Sequence, residues 1–376
     1  MAPSHRLGFL AFLSVTTLSV TFPVLPLYLE RLGYTTAEVG LIVGIMNLSL
    51  ASSELAGGYI SDRIGRKAAL LLGYIGSALS MLWFALSRGS AGIYSSRILQ
   101  GIFRGLIWPP LFAEVADAAP SNAHGRAFGL FWFYFSLGIL LGPLLGGAVA
   151  DRYGLVIPFF LGAGLSLVAL PMIQGIPARR RLPEAPRSNL LVLSGEAPGV
   201  YLLSGANLVH MLITAVWSTY IPLHAARQGL GPGEIGLLFT LQGLAFSFLQ
   251  VPAGRLADRF SLRFLAGLGI LTRAGLVAAT PLATDLPSLS VVSLLNGAAG
   301  GFVPLTISAW VARITPPQWA VTAMGVYNAS VDAGFFFGPV VGGLVAMATS
   351  LSSAFALCAV IGLAGLALLT HAQDPP

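Results

Sequence analysis

Residues 58–67 read GYISDRIGRK, and residues 254–263 read GRLADRFSLR. The two stretches lie 196 positions apart and carry Gly, Asp and Arg at the same places. The same offset relates a Gly-Pro-x-x-Gly-Gly string at residues 142–147 to another at residues 338–343. Further matches keep this offset over about 120 residues, and a constant offset is the mark of an internal repeat. The sequence therefore predicts a tandem duplication.

The composition indicates a chain that lies in a membrane. Of its 376 residues, 56% are hydrophobic and only 9% are charged, whereas soluble domains carry roughly 25% charged residues. A transmembrane helix needs about 20 mainly apolar residues, and an open sheet cannot satisfy its backbone in lipid. Twelve suitable segments lie at residues 7–29, 40–60, 68–87, 91–114, 127–150, 154–176, 199–222, 234–254, 264–283, 288–311, 321–347 and 351–371. We therefore predict an all-α integral membrane protein of twelve transmembrane helices.

The repeat divides these segments into two homologous six-helix bundles. We predict an N-terminal bundle at residues 1–176, a cytoplasmic linker at 177–198 and a C-terminal bundle at 199–376. Because each copy has an even number of spans, both copies have the same orientation, related by an axis along the membrane normal. This architecture is typical of transporters, whose substrate site lies near the midplane between the repeats.

The distribution of basic residues predicts the orientation. With the N-terminus inside, thirteen basic residues fall on the inner side: Arg6, Arg63, Arg66, Lys67, Arg126, Arg179, Arg180, Arg181, Arg187, Arg255, Arg259, Arg263 and Arg313. Four fall on the outer side: Arg31, Arg88, Arg152 and Arg227. Basic residues favour cytoplasmic loops, so we expect both termini in the cytoplasm and the protein in the plasma (inner) membrane.

The same pattern excludes several classes of function. The net charge of +6 lies in short loops, so it is explained by orientation and nucleic acid is not an expected partner. The single cysteine, Cys358, cannot form an intrachain disulfide, and no metal-ligand spacing is present. We find no nucleophile–base pair or nucleotide-binding loop. We expect neither an enzyme, nor a metal, nor a cofactor.

The stretch at residues 58–67 resembles the major facilitator signature G-x-x-x-D-R-x-G-R-K, and Ser261 replaces the inner glycine of that signature in the second copy. The resemblance implies a conformational latch in which Asp62 meets the start of the eleventh span and Arg66 pairs with Asp117. Breaking such contacts is one way to switch between two packed states. The residues assigned to the latch are Gly58, Asp62, Arg63, Gly65, Arg66, Lys67, Glu114, Asp117, Gly254, Asp258 and Arg259.

A second element, Arg97-Ile-Leu-Gln100-Gly101, resembles the R-x-x-Q-G element that the family links to proton coupling. Helical spacing places Arg97, Gln100, Arg104 and Trp108 on one face. A charge at mid-membrane costs about 2.5–3.5 kcal/mol on insertion scales, so such residues usually face a cavity or a partner. For both Arg97 and Arg104, a purely structural role remains an alternative.

The third element, GILLGPLLGG at residues 138–147, resembles the signature of the drug/proton antiporter branch, and its copy lies at residues 334–343. Small residues at every fourth position let helices approach closely, and proline adds a kink. The family associates the element with export, although its second copy also reflects the duplication. The residues of this helix-packing motif are Gly138, Gly142, Pro143, Gly146, Gly147, Gly334, Gly338, Pro339, Gly342 and Gly343.

Two carboxylates inside the predicted spans, Glu54 and Asp332, are candidate proton carriers together with Arg97 and Arg104. Either carboxylate is alternatively a structural polar group. Glu114 lies nearer the inner surface, so we assign it to the latch. Arg273, in the ninth span, has no role that the sequence explains.

Polar and aromatic residues on several spans are candidates for the substrate cavity. They are Asn47, Gln100, Trp108, Asn207, His210, Trp217, Gln242, Gln250, Asn296 and Asn328. A lone buried histidine is more often structural than functional, although His210 would titrate near neutral pH if unperturbed. A mainly apolar lining with few polar groups suits amphipathic solutes better than a sugar.

These features predict a secondary transporter that works as a monomer in the lipid bilayer. The favoured function is proton-coupled efflux of small amphipathic or lipophilic solutes by alternating access. The alternatives are proton-coupled uptake of a sugar or metabolite, and a lipid flippase or a transporter-like sensor.

Overall fold

The computed structural model describes residues 3–119, 124–176, 193, 195, 197–257 and 259–372. All regular structure in these ranges is helical. The helices of the first half are α1 (Pro3–Ser19), α2 (Leu25–Arg31), α3 (Thr36–Ile64), α4 (Arg66–Leu86), α5 (Ser90–Gly105), α6 (Trp108–Ala118), α7 (His124–Tyr153), α8 (Ile157–Val168) and α9 (Leu170–Ile173). Those of the second half are α10 (Gly199–Arg227), α11 (Pro232–Ala257), α12 (Leu262–Ala279), α13 (Leu286–Ile314), α14 (Ala320–Ala348) and α15 (Leu351–His371). Most of the predicted linker and Asp258 lie outside the described residues.

Within the described ranges, nine helices are long and apolar enough to cross a membrane. The other three predicted spans are each interrupted, as the pairs α1–α2, α5–α6 and α8–α9. A proline lies in the first turn of α2, α6 and α9. Proline lacks a backbone N–H and clashes with the preceding turn, so it is well tolerated in the first turn of a helix and often interrupts the helix before it. The predicted spans at residues 7–29, 91–114 and 154–176 are therefore helical but each is broken near a proline.

The junction between α3 and α4 is shorter than the sequence predicted. Helix α3 continues to Ile64 and α4 begins at Arg66, so Gly65 alone joins them. Gly65 has a φ of +93°, in the left-handed region that favours glycine. As a result Asp62 and Arg63 lie in the last turn of a helix, whereas we had placed them in a loop.

The chain forms two compact units. The first contains residues 1–33, 45–185 and 231–240, and the second contains 34–44, 186–230 and 241–376. Two short segments are exchanged between the units: the N-terminal end of α3 belongs to the second unit, and the N-terminal end of α11 belongs to the first. At the offset of 196, the two segments are counterparts of each other. The exchange therefore obeys the same repeat as the sequence.

In each unit, the first long helix lies at the centre of the packing. In the first unit, α1 packs along α7 and α8, and α4 packs against α5 and α8. In the second, α10 packs along α14 and α15, and α12 packs against α13 and α15. The side chains of Trp217 and Trp310 are completely buried in the second unit. Small residues between the helices allow this close packing.

Helix α13 begins with a capping box. The carboxylate of Asp285 accepts a hydrogen bond from the backbone N–H of Ser288 at 2.9 Å, and the hydroxyl of Ser288 accepts one from the N–H of Asp285. Hydrogen bonds from the side chain and then the backbone of Ser288 lower the pKa of Asp285. The cap fixes where α13 starts and hence which of its residues face the unit interior.

Candidate functional site

Helix α5 carries two guanidinium groups into the interior of the first unit. Arg97 and Arg104 are 2% and 4% exposed. The Nη1 atom of Arg97 donates to the side-chain oxygen of Gln100 one turn along the same helix. The Nη1 atom of Arg104 donates to the backbone oxygen of Ser14 in α1, at 3.0 Å. Both cations are therefore hydrogen-bonded inside the bundle, Arg104 across two helices.

The structure brings Glu54 of α3 into the electrostatic environment of Arg104. Glu54 is half-buried. Helix α5 comes close to α3 because glycines face the contact: a Cβ atom placed on Gly105 would lie 2.9 Å from the backbone nitrogen of Glu54. Two candidates that the sequence placed on separate spans therefore lie in one interior region.

Trp108 does not share the face of these arginines. Helix α5 ends at Gly105 and α6 starts at Trp108, so the argument from helical spacing was wrong beyond Arg104. The indole packs instead against Phe112 and Phe135, with ring centroids 5.9 Å and 5.7 Å apart. Trp108 thus belongs to an aromatic cluster between α6 and α7.

A second buried charge cluster joins α4 to α6. The Nη1 atom of Arg66 lies 3.0 Å from Glu114 Oε1 and 2.8 Å from Asp117 Oδ2. Only 6% of the Arg66 side chain and 7% of the Glu114 side chain are exposed. The ion pair between Arg66 and Asp117 that the family resemblance implied is present, and Glu114 joins it. One guanidinium nitrogen thus bridges two carboxylates of the same helix.

The other described residues of the predicted latch lie outside this buried ion-pair cluster. Arg63 is exposed and its guanidinium lies 4.5 Å from the ring centre of Tyr59, while Lys67 donates to the backbone oxygen of Gln174 at 2.9 Å. The expected contact of Asp62 with the start of α14 stays a prediction. In the second copy, Gly254 lies in α11 and Arg259 follows it.

The glycines of α7 form a groove that receives α1. A Cβ atom placed on Gly146 would lie 2.6 Å from the carbonyl carbon of Val20, and one on Gly142 would lie 2.9 Å from the Cβ of Ser19. Ser19 Oγ also donates to the backbone oxygen of Gly138 at 2.8 Å. The two backbones are therefore in direct contact, which only glycine permits.

The same motif packs against the N-terminal end of α11. A Cβ atom on Gly236 would lie 3.2 Å from the carbonyl carbon of Pro143, and one on Gly147 would lie 3.0 Å from the Cα of Gly233. Pro143 and Gly147 thus contact a second helix on the face that α1 leaves free.

The copy of this motif in α14 makes the same contacts in the second unit. Gly334, Gly338 and Gly342 face α10. A Cβ atom on Gly343 would lie 2.6 Å from the backbone oxygen of Thr36, at the start of α3. A Cβ atom on Gly40 of α3 would lie 2.8 Å from the carbonyl carbon of Pro339. Since both copies pack the start of a neighbouring helix, the motif serves the same packing role in each half.

One residue at this contact was not singled out in the sequence. Asp151, at the end of α7, accepts a hydrogen bond from the backbone N–H of Gly233 at 2.9 Å. Gly233 lies in the first turn of α11, where backbone N–H groups lack helical partners and negative charge is favourable. In the sequence, Asp151 looks like any charge at the end of a span, and only the fold shows that it caps another helix.

We expect Asp151→Ala to loosen the start of α11, because the Gly233 N–H loses its acceptor. Losing a helix cap costs roughly 1 kcal/mol, which corresponds to about fivefold more opening. Hydrogen–deuterium exchange of a peptide covering residues 229–236 should therefore become about fivefold faster, with a smaller change for Asp151→Asn. Arg152→Ala is the control, since Arg152 is exposed and lies over the ring of Tyr153. Equal exchange in the Asp151 and Arg152 variants would contradict the capping role.

Four of the predicted cavity residues are buried inside the second unit. Asn207, His210, Trp217 and Asn296 are at most 1% exposed. The side-chain nitrogen of Asn207 donates to Ser330 Oγ at 2.9 Å, across α10 and α14. These four side chains are therefore interior polar residues in this conformation, and their role in lining a cavity stays a prediction.

Of the remaining candidates, Gln100 is also buried, at 3% exposed, whereas the others keep an accessible surface. Gln250 and Asn328 are exposed, and Asn47, Gln242 and Asp332 are half-buried. The backbone of Gln242 is also in tight contact with Gly297 of α13, where a Cβ atom would lie 2.8 Å from its carbonyl carbon. These side chains stay candidates for solute contact, and Asp332 stays a candidate proton carrier.

The model of the Major Facilitator Superfamily matches residues 7–198 and 202–376. The chain belongs to this superfamily. The superfamily is one of membrane transporters, so the chain is an integral membrane transporter with a small-molecule substrate.

Related chains of the superfamily match along most of their length. An uncharacterized MFS-type transporter of Methanocaldococcus jannaschii is 26% identical over 362 residues, which cover 93% of this chain and 92% of the relative. Multidrug resistance protein 2 of Bacillus subtilis is 25% identical over 350 residues, covering 90% and 86%. The crystal structure of the nucleoside transporter NupG superposes with a TM-score of 0.82 at 14% identity, covering 99% of this chain and 100% of that one. At that identity the structural likeness shows the fold alone.

Proposed function

We propose that this superfamily member exports small amphipathic or lipophilic solutes in exchange for protons, by alternating access in a plasma membrane with both termini cytoplasmic. The observation that carries the proposal is the close approach of α5 to α3 at Gly105 and Glu54 in the first unit. It brings the buried cation of Arg104 within electrostatic range of a carboxylate that keeps some accessible surface.

The pair supports proton coupling through its charge. Arg104 is anchored to α1 by its bond to Ser14, so its position is set by the fold. When Glu54 is ionised, its charge compensates the guanidinium, and when it is protonated that attraction is lost. A proton on Glu54 therefore changes the balance of forces between α3 and α5. A ligand can shift a two-state equilibrium only by differential affinity for the two states, and a proton bound here has that property.

Two observations support efflux of lipophilic solutes. The Bacillus relative, similar over nearly the whole chain, is named as a multidrug resistance protein. The accessible candidate residues are few, and all of them except Glu54 and Asp332 are uncharged. So few polar groups favour solutes with a large apolar surface.

The test uses the purified protein in liposomes with an imposed proton gradient and a pH dye inside. Ethidium serves as the lipophilic cation, and a sugar and a nucleoside serve as solutes of the uptake alternative. We expect ethidium to trigger proton movement down the gradient and to move in the opposite direction. Glu54→Gln should lower the proton movement to the level of protein-free liposomes, because the amide cannot take up a proton.

Glu30→Gln, at the exposed end of α2, is the matched control and should behave like the unchanged protein. Loss in Asp332→Asn but not in Glu54→Gln would move the carrier to Asp332. Accumulation of sugar or nucleoside along the proton gradient would contradict export. Ethidium transport that does not depend on the gradient would contradict coupling.

A further inference from the structure

Arg273 is a buried cation in the second unit for which the sequence offers no role. It lies in α12 and is 4% exposed. Its Nη1 atom is 3.2 Å from Nε2 of His210 in α10. A guanidinium can only donate, so Nε2 of His210 must accept and the ring proton must lie on Nδ1. The pair therefore joins α12 to α10 through a neutral histidine.

The guanidinium of Arg273 fills a space beside a glycine of α13. A Cβ atom placed on Gly300 would lie 3.0 Å from Cζ of Arg273, and closer still to its Nη1 atom. Any other residue at position 300 would displace the guanidinium. Gly300 thus provides the room that Arg273 occupies.

The repeat relates this arrangement to the one in the first unit. At the offset of 196, Gly300 is the counterpart of Arg104, and His210 is the counterpart of Ser14. Arg104 donates to the backbone oxygen of Ser14. In both units, therefore, a buried guanidinium reaches the same position on the first long helix. In the first unit it comes from α5, and in the second it comes from α12.

The position equivalent to Arg273 in the first unit is Ser77 of α4. Ser77 is 1% exposed, and its hydroxyl has no hydrogen-bond partner among the described residues. Each half therefore has an arginine and a small residue at these two positions, in opposite order. Each half thus has one buried guanidinium that reaches its first long helix, from position 104 in the first half and from position 273 in the second.

We propose that Arg273 is a positioning residue that replaces Arg104 in the second half. Arg273 anchors α10 as Arg104 anchors α1. Position 300 holds a glycine because the Arg273 guanidinium of the neighbouring helix α12 occupies the space beside it. The halves differ in one further respect: the counterpart of Glu54 is Gln250, an amide. Arg273 consequently has no carboxylate at the matching position, and its anchoring role is independent of the proposed coupling at Glu54.

A double-mutant cycle tests the replacement. Arg273→Ser removes the guanidinium, and Gly300→Arg places a second one in a space that holds one. We expect each single variant to lose about tenfold in the fraction that stays folded after a heat challenge, because each leaves buried polar groups badly matched. The double variant Arg273→Ser/Gly300→Arg recreates the order found at Ser77 and Arg104. It should recover both the folded fraction and ethidium transport.

The comparison of the double variant with Arg273→Ser alone decides the outcome, even if Gly300→Arg does not fold. A double variant that is more stable and more active than Arg273→Ser supports the replacement. One that is equally or more damaged overturns it. Arg273→Lys tests whether the planar guanidinium is needed, since lysine keeps the charge but differs in length and hydrogen-bond geometry. We expect its stability to lie between those of the unchanged protein and Arg273→Ser.

Discussion

Gly146→Val is expected to abolish folded protein. A Cβ atom at this position would lie 2.6 Å from the carbonyl carbon of Val20 and 2.8 Å from its Cα. These are backbone atoms of the residue that directly follows α1, and they cannot rotate away as a side-chain end can. Relief requires α1 and α7 to separate, which also breaks the contacts at Gly138 and Gly142. Overpacking typically costs about 1–3 kcal/mol, and we expect this contact to exceed that range.

The measurement is the yield of monodisperse protein by size-exclusion chromatography in detergent, followed by its melting temperature. Gly129→Ala, in the same helix, is the matched control because no atom lies within 4 Å of its added Cβ. Alanine at such a position is expected to keep or raise stability, by about 0.4–1 kcal/mol. If Gly146→Val melted like Gly129→Ala, the direct backbone contact of α1 with α7 would be refuted.

Arg66→Ala is expected to have the second largest effect. It leaves Glu114, whose side chain is 7% exposed, and Asp117 without their shared cation. Removing one partner of a buried ion pair typically costs about 3–5 kcal/mol, since the remaining charge stays buried and unpaired. We expect a clear fall in melting temperature and a loss of ethidium transport, because α4 is no longer tied to α6.

Arg63→Ala provides the control for this prediction, because Arg63 lies one turn earlier and is exposed. It should leave stability within about 0.5 kcal/mol of the unchanged protein. Combining Arg66→Ala with Glu114→Gln and Asp117→Asn should restore part of the stability, since removing all the charges removes the unpaired ones. An Arg66→Ala protein as stable as Arg63→Ala would show that the cluster does not hold the two helices together.

The sequence by itself determined the class of fold and its symmetry. Apolar segments of sufficient length can only be helices in lipid, and a constant offset can only come from duplication, so neither conclusion needs coordinates. The pairing of Arg66 with Asp117 was also accessible, because it follows from a family motif. The glycine strings indicated close helix packing, since small residues four apart form a groove whatever the partner.

Local chemistry accounts for part of what the sequence did not predict. The interruptions at α2, α6 and α9 follow from prolines that are plain in the sequence. Prolines in α7, α10, α11, α13 and α14, however, stay inside continuous helices. Whether a proline ends a helix or is accommodated depends on the neighbours that satisfy the freed backbone groups, and those neighbours come from the tertiary structure.

Only the tertiary structure decided which distant side chains meet. It placed Asp151 at the first turn of α11, brought Glu54 of α3 close to Gly105 of α5, and set Arg273 against His210 beside Gly300. It also buried Asn207 and Asn296, which helical spacing could not separate from accessible polar residues. The reason is physical. The sequence records periodicity along one helix, whereas the position of a side chain between helices is set by how closely and at what rotation those helices pack.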